Sequence, residues 1–220
     1  MAAAALLATA PAAHAGAIIW NAWDPGSVVQ GSTAGSVTGA MGGVTVTYTG
    51  EVGQFDQNYP SWTPSSSYVG GTVGNAPVPS DGIFHIIGGG TNTDTIAFSQ
   101  AVINPVIAIW SLGAGGTQAS FSFTSPFTIE AGGPSAEYNG QSITSSGDTA
   151  LGNEGNGVIQ FNGTFNSISF TTPQAENWYG FAVGVAGVVP EPATWAMMIG
   201  GLFGVGAVLR RRKTLAAPAV

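Results

Sequence analysis

Between residues 16 and 189 apolar positions recur with a period of two over short runs, as in Ala119-Ser120-Phe121-Ser122-Phe123 and Ser167-Ile168-Ser169-Phe170. Successive side chains of a strand point to opposite faces. The pattern therefore puts apolar groups on one face and hydroxyls on the other, as in an antiparallel sheet packed on one side. It predicts strands at 17–23, 44–48, 83–87, 95–98, 106–112, 120–124, 127–130, 157–161, 167–172 and 178–185. Turn signals separate them: Asp24-Pro25-Gly26, Asp81-Gly82, Gly88-Gly89-Gly90, Gly132-Gly133-Pro134, Asn139-Gly140 and Asn162-Gly163, the last spaced as a hairpin turn. No stretch before residue 193 keeps a helical period. Many short strands with dense turns predict an all-β body, an antiparallel β-sandwich that is jelly-roll-like in architecture. Residues 64–80, rich in Ser, Gly and Pro, read as a long surface loop.

The pattern changes at residue 193. Residues 193–209 are uncharged and mostly apolar, and Arg210, Arg211, Arg212 and Lys213 follow directly. As a helix the run spans about 26 Å at 1.5 Å per residue, slightly short of a ~30 Å hydrocarbon core, which suits a temporary anchor. It predicts a single C-terminal transmembrane helix with the four cations as a cytoplasmic stop-transfer cluster and the body outside. Gly200-x-x-x-Gly204 has the small-residue spacing of close helix approach in lipid, or is simply tolerated there. Just before the run, Pro190 and Pro192 flank Glu191 and hold the chain extended, and Trp195 falls at the membrane–water interface.

At the other end, an apolar stretch over 2–10, Pro11, and Ala13-His14-Ala15 as an A-x-A site read as a secretory signal peptide cleaved after Ala15, although no basic residue precedes Ala2. The chain thus divides into a signal peptide at 1–15, an extracytoplasmic β domain at 16–189, a sorting segment at 190–213 and a cytoplasmic tail at 214–220.

The C-terminal series Val189-Pro190-Glu191-Pro192-Ala193-Thr194-Trp195-Ala196, a Gly-rich apolar stretch and four cations closely resembles the PEP-CTERM sorting signal, in its PEPxxWA variant, of Gram-negative bacteria. The resemblance covers 189–213 alone. It implies recognition of Pro190, Glu191 and Pro192 by an exosortase, an integral-membrane protease with a Cys nucleophile. Trp195 would be the interfacial position and Arg210, Arg211, Arg212 and Lys213 the stop. It further implies an inner-membrane anchor before processing, then release or transfer to the cell surface or the extracellular matrix, in the company of exopolysaccharide and biofilm functions.

Charge narrows the function of the body. The 220 residues are 44% hydrophobic and 7% charged, against about 25% charged in an ordinary soluble domain. All four basic residues lie in the cluster at 210–213. Of the 11 acids, all but Glu191 lie between 16 and 189: Asp24, Glu51, Asp56, Asp81, Asp94, Glu130, Glu137, Asp148, Glu154 and Glu176. A body without Lys or Arg cannot neutralise phosphates, which excludes nucleic acid as a partner. There is no Cys, so thiol catalysis and Cys-ligated metals are excluded and the fold is held without disulfides.

Candidate chemistry is sparse. His85 is the one His after the A-x-A site. Within Ile83-Phe84-His85-Ile86-Ile87 it reads as a partly buried, hydrogen-bonded core residue on the face of Ile83 and Ile87. No G-x-S-x-G or H-E-x-x-H is present. Two carboxylates suffice for glycoside hydrolysis, but such sites also position sugar hydroxyls with Arg, Lys or His. The expectation is a non-enzymatic protein without cofactor. Asp148, Asn153, Glu154 and Asn156 put oxygen ligands in one Gly-rich stretch that suits Ca²⁺ in composition but not in spacing, and a solvated acidic loop is preferred. Tyr59, Trp62 and Tyr68 stand in polar, Pro-rich sequence. Either they are exposed and contact polysaccharide, or Trp62 folds back to cap the sandwich. Asn162-Gly163-Thr164 is a glycosylation sequon whose Asn-Gly serves the hairpin turn.

Overall fold

A computed structural model describes residues 15–176 and 178–187. Ala15 opens this stretch as an exposed residue. Ala13 and the rest of the expected signal segment, the expected sorting residues Pro190, Glu191, Pro192 and Trp195, the apolar run at 193–209, and Arg210, Arg211, Arg212 and Lys213 lie outside the described residues. Among those described, no helix is long and apolar enough to cross a membrane.

The body is all-β, and its sheets are antiparallel apart from one short pairing. In chain order its strands are β1 (Ile18–Trp20), β2 (Ala22–Trp23), β3 (Gly31–Met41), β4 (Val44–Val52), β5 (Phe55–Asp56), β6 (Ile83–Phe84), β7 (Asp94–Ile103) and β8 (Val106–Leu112). They continue as β9 (Ala119–Phe123), β10 (Thr128–Gly132), β11 (Gln141–Ser142), β12 (Thr144–Ser146), β13 (Thr149–Gly152), β14 (Gly155–Gln160), β15 (Thr164–Thr171) and β16 (Gly180–Ala186). One sheet runs β1-β16-β8-β14-β10, with β11 added parallel to β14; a second runs β12-β13-β9-β15-β7-β4-β3-β2, and β5 and β6 form a separate antiparallel pair. The facing sides of the first two sheets share one core of Val, Ile, Phe, Tyr and Trp side chains. Tyr48 of the larger sheet packs edge-on against Phe181 of the smaller at 5.3 Å, and Phe170 meets Phe181 at 5.9 Å.

Most of the predicted strands form, with shifted ends. The run at 17–23 breaks at Asn21, whose buried amide oxygen accepts from Val183 N at 2.7 Å. The run at 83–87 keeps only β6 as a strand and continues through a single bridge between Ile86 and Tyr179. The largest addition is β3, paired with β4 from Met41 back to Gly31. Its inward positions include Gly35, Val37, Gly39 and Met41, so its period of two is written partly in glycine. Glycine is required at residue 39, where a Cβ would lie 2.6 Å from Ala22 O and 3.0 Å from the Trp23 ring.

Strand β8 corrects the expectation of a sheet packed on one side. All seven of its residues are buried. Ile107, Ile109 and Leu112 point into the inter-sheet core, whereas Val106, Ala108 and Trp110 point the other way into a second cluster with Ile18, Trp20, Trp62, Tyr68, Val73, Ile83, Val158 and Ala182. The segment between β5 and β6 supplies the cover. Residues 64–80, expected as a surface loop, bury Ser67, Tyr68 and Val73 there. Lacking long ladder pairings, the cover is fastened by side chains. Asn75 exchanges two bonds with the backbone of Ile18 (2.6 and 3.1 Å), Ser67 Oγ donates to Pro134 O at 2.7 Å, and Thr72 N donates to Glu130 Oε2 at 2.9 Å.

Candidate functional site

The aromatic residues proposed for glycan contact part company. Trp62 and Tyr68 are buried, their rings edge to face at 5.3 Å, and Tyr68 Oη donates within reach of Ser61 O and Asn156 Oδ1, both at 3.1 Å. These two rings cap the sheet and are unavailable to a ligand. The cause is the outward face of β8 and β14, where Trp110, Ala108 and Val158 need an apolar cover. Tyr59 stays half-buried at the rim, where its hydroxyl donates to Glu137 and lies 3.4 Å from that of Tyr138. Burial and the Glu137 carboxylate raise the Tyr59 phenol well above its ordinary value.

Tyr59 belongs to an aromatic cluster built around His85. Its ring stands edge-on to Trp110 (5.5 Å) and Trp178 (6.0 Å), and the imidazole of His85 stacks on Trp178 at 4.1 Å. His85 is 2% exposed, in keeping with the core reading. Its place follows from local pairing: Gly53 N donates to His85 O at 2.7 Å and His85 N to Gln54 O at 2.8 Å, which brings the β4–β5 connection beside it. The ring nitrogen Nε2 lies 2.7 Å from Asp56 Oδ2, the one ion-pair geometry among the described residues. Burial lowers the His85 pKa against the opposing pull of Asp56, so the ring is neutral near pH 7; it donates Nε2–H to the carboxylate and keeps the lone pair on Nδ1.

Beside this stack lies a pocket of about 210 Å³ lined by Gly53, Gln54, His85, Ile87 and Trp178. Ile87 is 41% exposed, Trp178 is half-buried, and the Gln54 amide donates to both Asp56 carboxylate oxygens (2.9 and 3.1 Å). The pocket thus offers a flat aromatic wall, an aliphatic wall and an amide at its rim. Three buried ring nitrogens around it, His85 Nδ1, Trp110 Nε1 and Trp178 Nε1, make no hydrogen bond; Trp178 lies against the Tyr59 hydroxyl without bonding geometry. Asp56 and His85 form a carboxylate–imidazole pair, and among the described residues His85 Nδ1 meets no hydrogen-bond partner.

The stretch considered for Ca²⁺ does not converge. Asp148 sits in the turn between β12 and β13. Asn156 is buried on β14 with its amide committed to Ser111 N (2.9 Å), Tyr68 Oη and Glu154 O (2.9 Å), and Glu154 Oε2 accepts from Ser111 Oγ at 2.5 Å. Among the described residues no group of three or more His, Asp or Glu side chains is placed to hold a metal.

A second polar centre lies between β4 and β7. Glu51 and Asp94 are 2% and 0% exposed. Glu51 Oε2 accepts from Gly88 N at 2.5 Å, and Asp94 Oδ1 accepts from Glu51 N at 3.3 Å and Asn92 Nδ2 at 3.4 Å. The Thr172 hydroxyl lies 3.3 Å from Glu51 Oε2 and 3.4 Å from Asp94 Oδ2. Burial, then the nearby Glu51 charge, raises Asp94 to about 6. Sequence reasoning singled out neither centre beyond His85. The signals present were the lone His in an apolar run and two acids, Glu51 and Asp94, set in otherwise apolar or hydroxyl-bearing strands. No family model, curated protein or solved structure matches this chain.

Proposed function

We propose that the protein is an exported, non-enzymatic surface or matrix protein whose jelly-roll-like β-sandwich is delivered through an exosortase-like system. The observation that carries this reading is the ordered series Pro190-Glu191-Pro192, Trp195, apolar run and Arg210, Arg211, Arg212, Lys213 in a chain with no other Lys or Arg. The membrane helix at 193–209 and the signal peptide at 1–15 belong to the same reading. The compact unit of the body ends at Gly187, so a cut near Pro190 leaves it whole. The deciding measurement is the C-terminal mass of the protein recovered from the cell surface. Truncation near 190–192 is expected, and recovery of membrane-bound chain intact through Val220 would overturn the delivery route.

A second reading, a polysaccharide-binding module, is favoured by one feature, the half-buried Trp178 beside the Gln54 amide in the His85 pocket. On this reading Trp178, with Tyr59 and the exposed Tyr138 at the rim, does the work first assigned to Trp62 and Tyr68.

A further inference from the structure

The Glu51–Asp94 pair is short of hydrogen. Its four carboxylate oxygens meet the amides of Gly88 and Glu51, a long contact from Asn92, and two hydroxyls: Thr172, whose single proton faces both carboxylates, and Tyr48, which lies against Asp94 while its proton goes to Glu51 O at 3.2 Å. Among the described residues no Lys or Arg offsets the charge, and His85 is held by Asp56 elsewhere. The other titratable groups facing the pair are Tyr48 from β4 and Tyr179 ahead of β16, with Glu176 beyond Tyr179. Both phenols are raised by burial and stay neutral, and Tyr179 Oη is buried against the Thr172 hydroxyl without good hydrogen-bond geometry. Two buried charges in such surroundings are costly, and one proton added between them both halves the charge and supplies the missing donor.

The pair also sits where two loops meet. Glu51 Oε2 holds the amide of Gly88, and from there the loops zip together: Gly89 N donates to Thr172 O (2.8 Å), Glu176 N to Ile87 O (2.7 Å), and Ile86 N to Tyr179 O (2.8 Å). Gly88 has φ +66°, and a Cβ there would lie 2.5 Å from Tyr179 Oη, so the loop has no slack at this point. Trp178, carried by the second loop, forms one wall of the His85 pocket.

We propose that Glu51 and Asp94 form a proton-operated latch, which ties the loop at 87–93 to the segment at 172–176 in mild acid and loosens them, with the Trp178 wall of the pocket, as the pair loses its proton. The latch depends on the body alone, not on the delivery route or on any ligand. Hydrogen exchange of the full chain, compared at about pH 5 and about pH 7.5 with intrinsic rates divided out, tests it. The amides of 86–89, 172–176, 178 and 179 (Pro173 has none) are expected to lose protection by roughly tenfold or more at the higher pH, while those of β8 and β14 keep theirs. In Asp94→Asn the loops are expected to stay protected at both pH values. Should that variant not fold, Glu51→Gln is expected to abolish the pH dependence likewise. Equal protection of the wild-type loops at both pH values, or an undiminished pH dependence in the foldable variant, would overturn the latch. Recovery of protection at the higher pH on adding Ca²⁺ would overturn it too, because the pair would then be holding a metal in place of a proton.

Discussion

The two faces of the β1-β16-β8-β14-β10 sheet are built differently. Its inner face meets another sheet, and both partners are fixed by strand ladders; the contacts are Ile107, Ile109, Ile159, Phe181 and Val183 against Tyr48, Phe121 and Phe170. Its outer face meets a segment with only two short 3-10 turns, Ser65–Ser67 and Pro79–Asp81, and the contacts there are Trp and Tyr rings with polar edges. The inner face holds mostly by shape and area, with a few buried polar edges such as Trp23 Nε1, which donates to Phe181 O at 3.3 Å, and Tyr48 Oη, which donates to Glu51 O at 3.2 Å. The outer face must also satisfy ring N–H and O–H groups, and it leaves Trp110 Nε1 without a partner. The pocket therefore collects on the loop-covered side, while unfilled hydrogen-bonding capacity occurs on both faces, at Trp110 Nε1 outside and Tyr179 Oη inside.

The sharpest way to break this comparison is to remove one ring from each face. Phe181→Ala, between two ladder-fixed sheets, is expected to cost about 3–5 kcal/mol in denaturant unfolding, because the walls cannot collapse into the space. Trp62→Ala, under a segment free to relax, is expected to cost less, about 2 kcal/mol, although the ring is larger. Equal losses would show that the cover is as rigid as a sheet.

Next in size is the effect of pH. Asp94 is raised from the ordinary 3.8 to about 6, so the folded state holds this proton more tightly than the unfolded chain does. Its contribution to stability is complete below about pH 4 and is lost as pH rises through about 6, on the order of 3 kcal/mol for a shift of about two units. Thermal unfolding should therefore show the wild type losing stability relative to Asp94→Asn across that interval. A parallel pH profile for the two proteins would contradict the assignment.

The smallest expected effect on stability is at the pocket. Trp178→Ala should cost only about 1–2 kcal/mol, since the ring is half-buried, yet it should abolish retention of the protein on polysaccharide if the pocket is a glycan site. Undiminished retention would remove the pocket from the second reading.

Strands that alternate cleanly, such as β9 and β15, were legible because each residue reports its own face. The continuous apolar run of β8 was legible as a strand, but not as one covered on both sides. That property belongs to Tyr68 and Val73, which read as loop residues until β8 and β14 give them something to cover. β3 escaped notice because Gly35 and Gly39 fill inward positions where bulk normally marks the core. The candidate site was legible only at His85. Its partners Asp56 and Trp178 come from distant parts of the chain, and period or spacing carries no record of that meeting. The polar strands β11 and β12 were invisible for another reason: both are exposed throughout, so burial left no pattern in them.

The pairing of β1 with β16 sets Ile18 opposite Ala186, the two ends of the body side by side in one sheet. A polypeptide emerges N-terminus first from a ribosome or a translocation channel, so β1 is delivered first and its only sheet partner last. Until that strand arrives β1 stays unpaired, and closure of this sheet waits on loop closure across nearly the whole body. Such a topology resists folding too early, which keeps a chain threadable for as long as any of it has still to pass.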